Sequence, residues 1–167
     1  IKSAVTNMTL ILNDFLSAEK LQEGKVLVRM EESNLPDLTS SVINEVYGIL
    51  KPGQKVIYSH SGLPSASLDK QMVRNILLNL ISNAIKFSPE NKNIELITSI
   101  DSDKITITVI DKGIGIPVEE QEHLFQRFFR ARNVTNIQGT GLGLNIVGKY
   151  LEIMKGSITF ESQVDIG

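Results

Sequence analysis

The stretch between Asp69 and Ser88-Pro89 constrains the fold more than any other part of the chain. Asp69 is a helix-capping residue and Ser88-Pro89 a helix stop, so the residues between them are expected to form one long helix. Placed at intervals of about 100° around the axis, Val73, Ile76, Leu77, Leu80, Ala84 and Phe87 share one stripe, the expected core face. Asn75, Asn79, Asn83 and Lys86 fall together on an adjoining arc of about 80°. Buried amides are costly unless paired, so this ridge is either an ordinary solvated face or the wall of a cleft whose partners come from elsewhere.

The rest of the chain supplies strands and further helices. Residues 1–22 repeat apolar positions at Ile1, Val5, Met8, Leu12 and Phe15, a helix seam that Gly24 ends. With no cap at its start, this helix reads as the end of a longer one whose partner is absent; the alternative is an N-terminal helix docked on its own domain. Residues 25–32 alternate Val26, Val28 and Met30 as a half-buried strand, and Pro36 with the run 38–50 suggests a helix stopped by Lys51-Pro52-Gly53. Residues 56–60 form a short strand. Residues 94–100 and 104–110, joined by Asp101-Ser102-Asp103, form an antiparallel hairpin. Pro117 opens a helix, 131–140 is a polar, mobile loop, 142–154 a helix closed by Gly156, and 157–160 a last strand. Without repeated βαβ spacing, the expected class is α+β, a two-layer sandwich with helices on one face of a mixed or antiparallel sheet, preceded by an N-terminal helix.

Composition narrows the partners. A chain of 167 residues, 41% of them hydrophobic, suits one main folding unit. Seventeen basic against nineteen acidic residues leave a formal charge of −2, which gives no electrostatic case for nucleic acid. Any anionic ligand must be met locally. The lack of cysteine fits a reducing compartment, and no apolar run nears the roughly 20 residues that span a bilayer, so a cytoplasmic location is expected, with a membrane anchor in a parent protein still open.

Two glycine-rich segments are the candidate partners of the ridge. In DKGIGIP (111–117), Asp111 leaves a strand, and Gly113 and Gly115 let the backbone turn or approach a ligand. A carboxylate accepts but cannot donate, which suits the exocyclic amine of adenine and rejects the carbonyl of guanine; a simple turn is the alternative. GTGLGL (139–144) opens a helix whose free N–H groups suit phosphate, although a glycine run alone is weak evidence. GLNIVGKY (143–150) nearly spells a P-loop, but Tyr150 cannot supply the small hydroxyl that ligates magnesium. Between these segments, HLFQRFFRAR (123–132) crowds Leu124, Phe125, Phe128 and Phe129, which core packing alone could explain, beside Arg127, Arg130 and Arg132, which could be solvated or could clamp a terminal phosphate.

In this order and spacing the segments resemble the catalytic and ATP-binding domain of sensor histidine kinases, of the gyrase, chaperone and mismatch-repair ATPase superfamily with its Bergerat-type fold. NLISNAIKFSP (79–89) is similar to the N box, DKGIGIP to the first glycine box, LFQRFF (124–129) to the phenylalanine box and GTGLGL to the second glycine box. Residues 9–25 resemble the second helix of the dimerisation and phosphotransfer hairpin, which implies a division into residues 1–24 and a catalytic domain over 25–167. The resemblance implies ATP and Mg²⁺ as cofactors, Asn83 as the metal ligand, Asn79 and Lys86 on the phosphate side and Phe87 near the base. It implies that Asp111 reads the adenine amine, with Gly113, Gly115 and Ile116 shaping that wall. Gly139, Thr140, Gly141, Leu142 and Gly143 would bring backbone to the phosphates, and residues 129–140 would act as a lid. Asn79, Lys86 and Arg130 are the implied catalytic residues. The implied partners are the protein's own phosphotransfer hairpin, a response-regulator receiver domain and a second copy in a homodimer.

Position 79 separates the branches. Hydrolysing relatives carry a glutamate there to activate water, whereas Asn79 has no useful basicity. A neutral imidazole nucleophile needs less help, so phosphoryl transfer to histidine reduces to positioning and charge stabilisation. The acceptor itself is not expected here: His60 lies on a strand and His123 before the phenylalanine box, both read as structural. Family members usually continue beyond Asp165-Ile166-Gly167 through another glycine box into a final strand, so the sheet is expected to be incomplete. The alternatives are a nucleotide-sensing scaffold or pseudokinase, which only turnover separates, and an ATPase of the wider superfamily, which Asn79 disfavours.

Overall fold

The computed structural model describes residues 2–24, 26–102, 104–134, 137 and 139–167. In chain order the regular elements are α1 (Lys2–Gln22), β1 (Met30–Asn34), α2 (Leu35–Val46), β2 (Val56–Gly62), β3 (Ser65–Asp69), α3 (Lys70–Phe87), β4 (Ile94–Ile100), β5 (Ile105–Ile110) and α4 (Gly143–Ile153). Short 3₁₀ turns lie at Tyr47–Ile49, Val118–His123 and Arg132–Val134. Two compact units result: Arg29–Lys112, and residues 1–28 together with Gly113–Gly167.

In the unit Arg29–Lys112, β2 pairs parallel with β4, from Val56 opposite Ile94 to Gly62 opposite Ile100. β5 pairs antiparallel with β4 on its other side, from Glu95 opposite Ile110 to Ile100 opposite Ile105. The mixed sheet expected from the sequence is therefore present. Along β4 the residues Ile94, Leu96, Thr98 and Ile100 are buried while Glu95 and Ile97 face solvent, so one face carries the core. α3 covers that face, and α2 packs on α3.

The position of α3 corrects the sequence reading of its core face. Val73, Ile76, Leu77 and Ala84 are buried as expected, but Leu80 and Phe87 are only half-buried, and Met72, Leu78, Ile81 and Ile85 are buried as well. A helix sandwiched between a sheet and a second helix buries more than one stripe, and periodicity alone centres the stripe on the wrong side.

Several boundaries moved for identifiable reasons. The strand expected at 25–32 is β1, from Met30, and Lys25 lies outside the described residues. Its partner is β3, which the sequence reading did not predict because the alternation in SASLD rests on only Ala66 and Leu68, with no β-branched or aromatic residue. Met30 pairs with Asp69, where β3 gives way to α3, so residues before Met30 have no strand opposite them. Helix α2 starts at Leu35 rather than 38, because Asn34 caps it by accepting from the Asp37 N–H at 2.9 Å and Pro36 sits in its first turn. It ends at Val46 and continues only as a 3₁₀ turn. β2 runs to Gly62, two residues past the expected end. The hairpin β4–β5 forms as expected, with Asp101 N–H donating to Lys104 O at 3.0 Å; Asp103 lies outside the described residues.

In the other unit, α1 packs on α4. Ile1 of the expected seam is outside the described residues, and Val5, Met8, Leu12 and Phe15 are exposed. Pro117 precedes a 3₁₀ turn instead of opening an α-helix. At the end of α4 it is Lys155 that adopts the left-handed conformation (φ 57°), while Gly156 N–H closes the last turn onto Leu151 O at 2.8 Å. Residues 157–160 do not form the expected strand. That segment is held by side chains instead: the Phe160 ring lies 6.1 Å from that of Phe125, and the Ser162 hydroxyl accepts from Ile116 N–H at 2.9 Å.

Asp69 is the anchor on which β1, β3 and α3 converge. Buried, it accepts from Met72 N–H at 2.9 Å as the cap of α3 and from Arg29 N–H at 2.7 Å. Asp69→Ala is expected to lower the unfolding free energy by about 1–3 kcal/mol, and Asp69→Asn, which keeps an acceptor oxygen, by less. Urea denaturation midpoints for the two variants check this order.

Candidate nucleotide-binding site

Within Arg29–Lys112, the ridge of α3 emerges as one half-buried strip holding Asn75, Asn79, Asn83 and Lys86. Its N-terminal members satisfy one another. Gln71 Nε2 donates to Asn75 Oδ1 at 3.1 Å, Asn79 Nδ2 donates to Asn75 O at 3.0 Å, and Ser82 Oγ donates to Asn79 O at 3.2 Å. Asn83 differs in that, among the described residues, neither end of its side-chain amide has a hydrogen-bond partner; its oxygen, like the Oδ1 of Asn79, is available to a ligand. One turn on, the Lys86 ammonium lies 4.6 Å from the centroid of the Phe87 ring.

Asp111 belongs to the same end of this unit. Ile110, the last residue of β5, pairs with Glu95 at the start of β4, and β4 begins beside Val56. The turn that leads into Val56 is fastened to the end of α3: Gln54 Nε2 donates to Ile85 O at 3.2 Å, and Ile94 N–H donates to Lys55 O at 2.9 Å. Asp111 therefore leaves the sheet at the edge where the C-terminal turns of α3, with Asn83 and Lys86, are tied down.

The glycine segments lie in the other unit. Gly115 is needed by the fold itself, because a Cβ there would come within 2.0 Å of Gln163 O, and Asp165 N–H donates to Ile114 O at 2.9 Å. Ile116 is held through its backbone by Ser162, and Gly113 is buried. In the second segment, Thr140 Oγ1 accepts from Leu142 N–H at 3.2 Å and donates to Asp14 Oδ2 of α1 at 3.1 Å. Gly141 (φ +69°) lets residues 128–129 approach, since a Cβ would meet Phe128 C at 2.7 Å, and Phe128 N–H donates to Gly141 O at 2.9 Å. Leu142 is fully buried with Ile146 and Val147, so it anchors α4 and can meet a ligand only through its backbone. Gly139 and Gly143 flank these residues, Gly143 as the first residue of α4, where helix N–H groups lack intrahelical partners.

The expected lid has its own internal bracing. Arg130 donates to Val134 O at 2.8 Å and also to Ile137 O, so its guanidinium gathers lid backbone. The sequence reading missed Glu120 and Asn133. Glu120, buried, accepts from Arg132 N–H at 2.9 Å and from Arg132 Nε at 3.1 Å, while Asn133 Nδ2 donates to Gly115 O at 2.9 Å. One glutamate among the surface acids of 119–122 carries no sequence signal of burial. Thr135, Asn136 and Gln138 of the expected lid lie outside the described residues. His60 is engaged on both ring nitrogens, with Thr98 Oγ1 at 2.8 Å and Leu63 O at 2.9 Å, and His123 meets Gln126 and Glu122.

The family model described as histidine kinase-, DNA gyrase B- and HSP90-like ATPase matches residues 68–167. The chain belongs to this family. It is 32% identical over 158 residues, 93% of its length and 41% of the relative's, to the adaptive-response sensory kinase SasA of Crocosphaera subtropica. It is 34% identical over 181 residues to the signal transduction histidine-protein kinase BarA of Escherichia coli, covering 100% of this chain and 19% of BarA. The chain thus spans less than half the length of these curated relatives. Among solved structures, full-length ShkA in complex with AMPPNP superimposes with a TM-score of 0.78 at 25% identity, over 95% of this chain and 34% of that one. The catalytic domain of histidine kinase ThkA gives 0.63 at 28% identity, over 75% and 81%. No helix among the described residues is long and apolar enough to cross a membrane.

Glu120→Ala is expected to release the backbone at Arg132, because a hydrogen bond to a charged acceptor is worth about 1.5–3 kcal/mol. Hydrogen exchange at residues 131–134 should accelerate several-fold. Exchange in α3, in the other unit, should stay as it is.

Proposed function

We propose that this chain is the ATP-binding catalytic portion of a sensor histidine kinase, placing the γ-phosphate of Mg-ATP on a histidine of the dimerisation hairpin for relay to a response-regulator aspartate. Membership of an ATPase family supports the nucleotide class. The observation that carries the finer reading is the pairing, at one end of Arg29–Lys112, of an unpartnered amide oxygen on Asn83 with the carboxylate of Asp111 at the exit of β5.

The donor set fits magnesium held jointly with a ligand. Among the described residues no group of three or more His, Cys, Asp or Glu could hold a metal ion, so a divalent ion here takes its remaining oxygens from phosphate and water. Asn83 would supply one hard oxygen, and the ion would neutralise charge on the transferred phosphoryl group. Asp111 would accept from the adenine amine and exclude guanine by setting acceptor against acceptor. Lys86 would add a cation on the phosphate side, and Phe87 apolar surface near the base. Gly113, Gly115 and Ile116 would shape the base wall, and the backbone of 139–143 would meet the phosphates. Asn79 would orient without acting as a base, which favours transfer to an imidazole over hydrolysis. Arg130 would act as a phosphate contact from the lid, whose backbone carbonyls at Val134 and Ile137 it holds.

In this reading residues 1–24 are the end of the phosphotransfer hairpin, residues 25–167 the catalytic domain, the working protein a homodimer, and its location the cytoplasm. Asp111→Asn should weaken ATP binding about tenfold or more and narrow the preference for ATP over GTP, since a charge-assisted hydrogen bond is worth about 1.5–3 kcal/mol. Asn83→Ala should remove the magnesium-dependent part of the affinity. Calorimetric titrations of ATP and GTP with and without Mg²⁺ measure both, and unchanged affinities in the two variants would remove the assignment. Labelled ATP with the hairpin supplied in trans should yield an acid-labile, base-stable phosphohistidine.

A further inference from the structure

The C-terminal end of α3 is finished by side chains from a distant turn. Pro89 has no N–H to offer Ile85 O, the acceptor four residues back, so the helix ends with carbonyls that its own backbone cannot satisfy. Gln54, 5% exposed, fills this gap: its Nε2 donates to Ile85 O at 3.2 Å, Ser88 O at 3.1 Å and Pro89 O at 3.1 Å. Its Oε1 accepts from Lys51 N–H at 2.9 Å, which locks the turn that carries both residues. The Lys51 ammonium donates to Lys86 O at 2.7 Å and Ser88 O at 2.6 Å. Asn91 N–H closes the clasp from the other side onto Pro52 O at 3.0 Å.

These contacts converge on the turn that presents Asn83, Lys86 and Phe87. A helix C-terminus carries partial negative charge, an unfavourable neighbour for a triphosphate, and an ammonium on its last carbonyls offsets that charge. From this geometry we infer that Lys51 and Gln54 are positioning residues for the phosphate side of the nucleotide site, fixing the last turn of α3 and neutralising its carbonyls. Neither side chain touches the ligand. The inference rests on the reading of α3 as the helix that meets metal and phosphate.

Its test separates the two ends of the nucleotide. Gln54→Met and Lys51→Met keep the stems and remove the donors. Calorimetry with Mg-ATP and with adenosine, on the 167-residue chain, gives the ratio of the two affinities for each variant. Loosening of the α3 end should lower that ratio about tenfold in Gln54→Met and about threefold in Lys51→Met, with adenosine affinity held because Asp111 stays on β5. Lys51→Arg, which returns a cation to the same carbonyls, should restore the ratio. A purely structural role would lower the melting temperature of the variants and leave the ratio of the folded molecules at the wild-type value, and that result would overturn the inference. Lys51 is only half-buried, so its variant carries the test if Gln54→Met does not fold. Wild-type protein that binds ATP while variants keep its ratio defeats the inference alone. Wild-type protein that binds neither ligand defeats the functional reading and the inference with it.

Discussion

Burial of α3 against the apolar face of β4 is the constraint on which the unit Arg29–Lys112 depends. Leu77, Ile81 and Ala84 on the helix and Ile94, Leu96 and Ile100 on the strand leave almost no surface to water, which makes this contact a large source of hydrophobic stabilisation in the unit, beside the buried Leu35, Leu38, Val42 and Val46 of α2. A helix held only by apolar packing can still slide or rotate by part of a turn. Here polar contacts fix its ends, with the Asp69 carboxylate on the first turn and the Lys51–Gln54 turn on the last. Register along the helix axis, and so the place of each ridge residue, follows from those two ends.

The same division of labour explains how one helix serves as both core and site. Its buried arc is broad because both the sheet and α2 pack on it, and Asn75, Asn79, Asn83 and Lys86 share an arc beside that core. Half-burial suits that strip. Fully exposed amides would be hydrated and mobile, and fully buried ones would each need a partner, whereas Asn75 and Asn79 are partnered along the helix and Asn83 keeps its oxygen open.

In the unit of residues 1–28 with Gly113–Gly167, the glycine segments do structural duty of their own. Gly115 lets the backbone of residue 163 come close, and Gly141 admits the backbone of Phe128, itself at φ 62°. Residues without a Cβ are what these chain crossings require. The described residues of the expected lid are gathered by Arg130, Glu120 and Asn133, three polar side chains whose partners all lie in the same unit, backbone groups together with the Arg132 guanidinium.

Much of this was legible beforehand. The helix from Asp69 to Ser88 with its amide ridge, the β4–β5 hairpin and the order of the four motifs all follow from local pattern, because capping residues, periodicity and glycine spacing act over a few residues and leave their mark on the sequence. What stayed hidden depends on residues far apart in the chain. β3 exists because β1 lies opposite it, the expected strand at 157–160 has no strand paired with it, and the first strand begins at Met30 because its partner turns into a helix there. Glu120 and Gln54 look like surface residues until their acceptors and donors are brought to them from 12 and 31 positions away. The sequence by itself determined the chemistry on offer: amides, one carboxylate, a cation and glycines in a recognisable order. Only tertiary structure decided which of those groups are satisfied by protein and which remain open, since a hydrogen bond between distant residues depends on a geometry that no local pattern encodes.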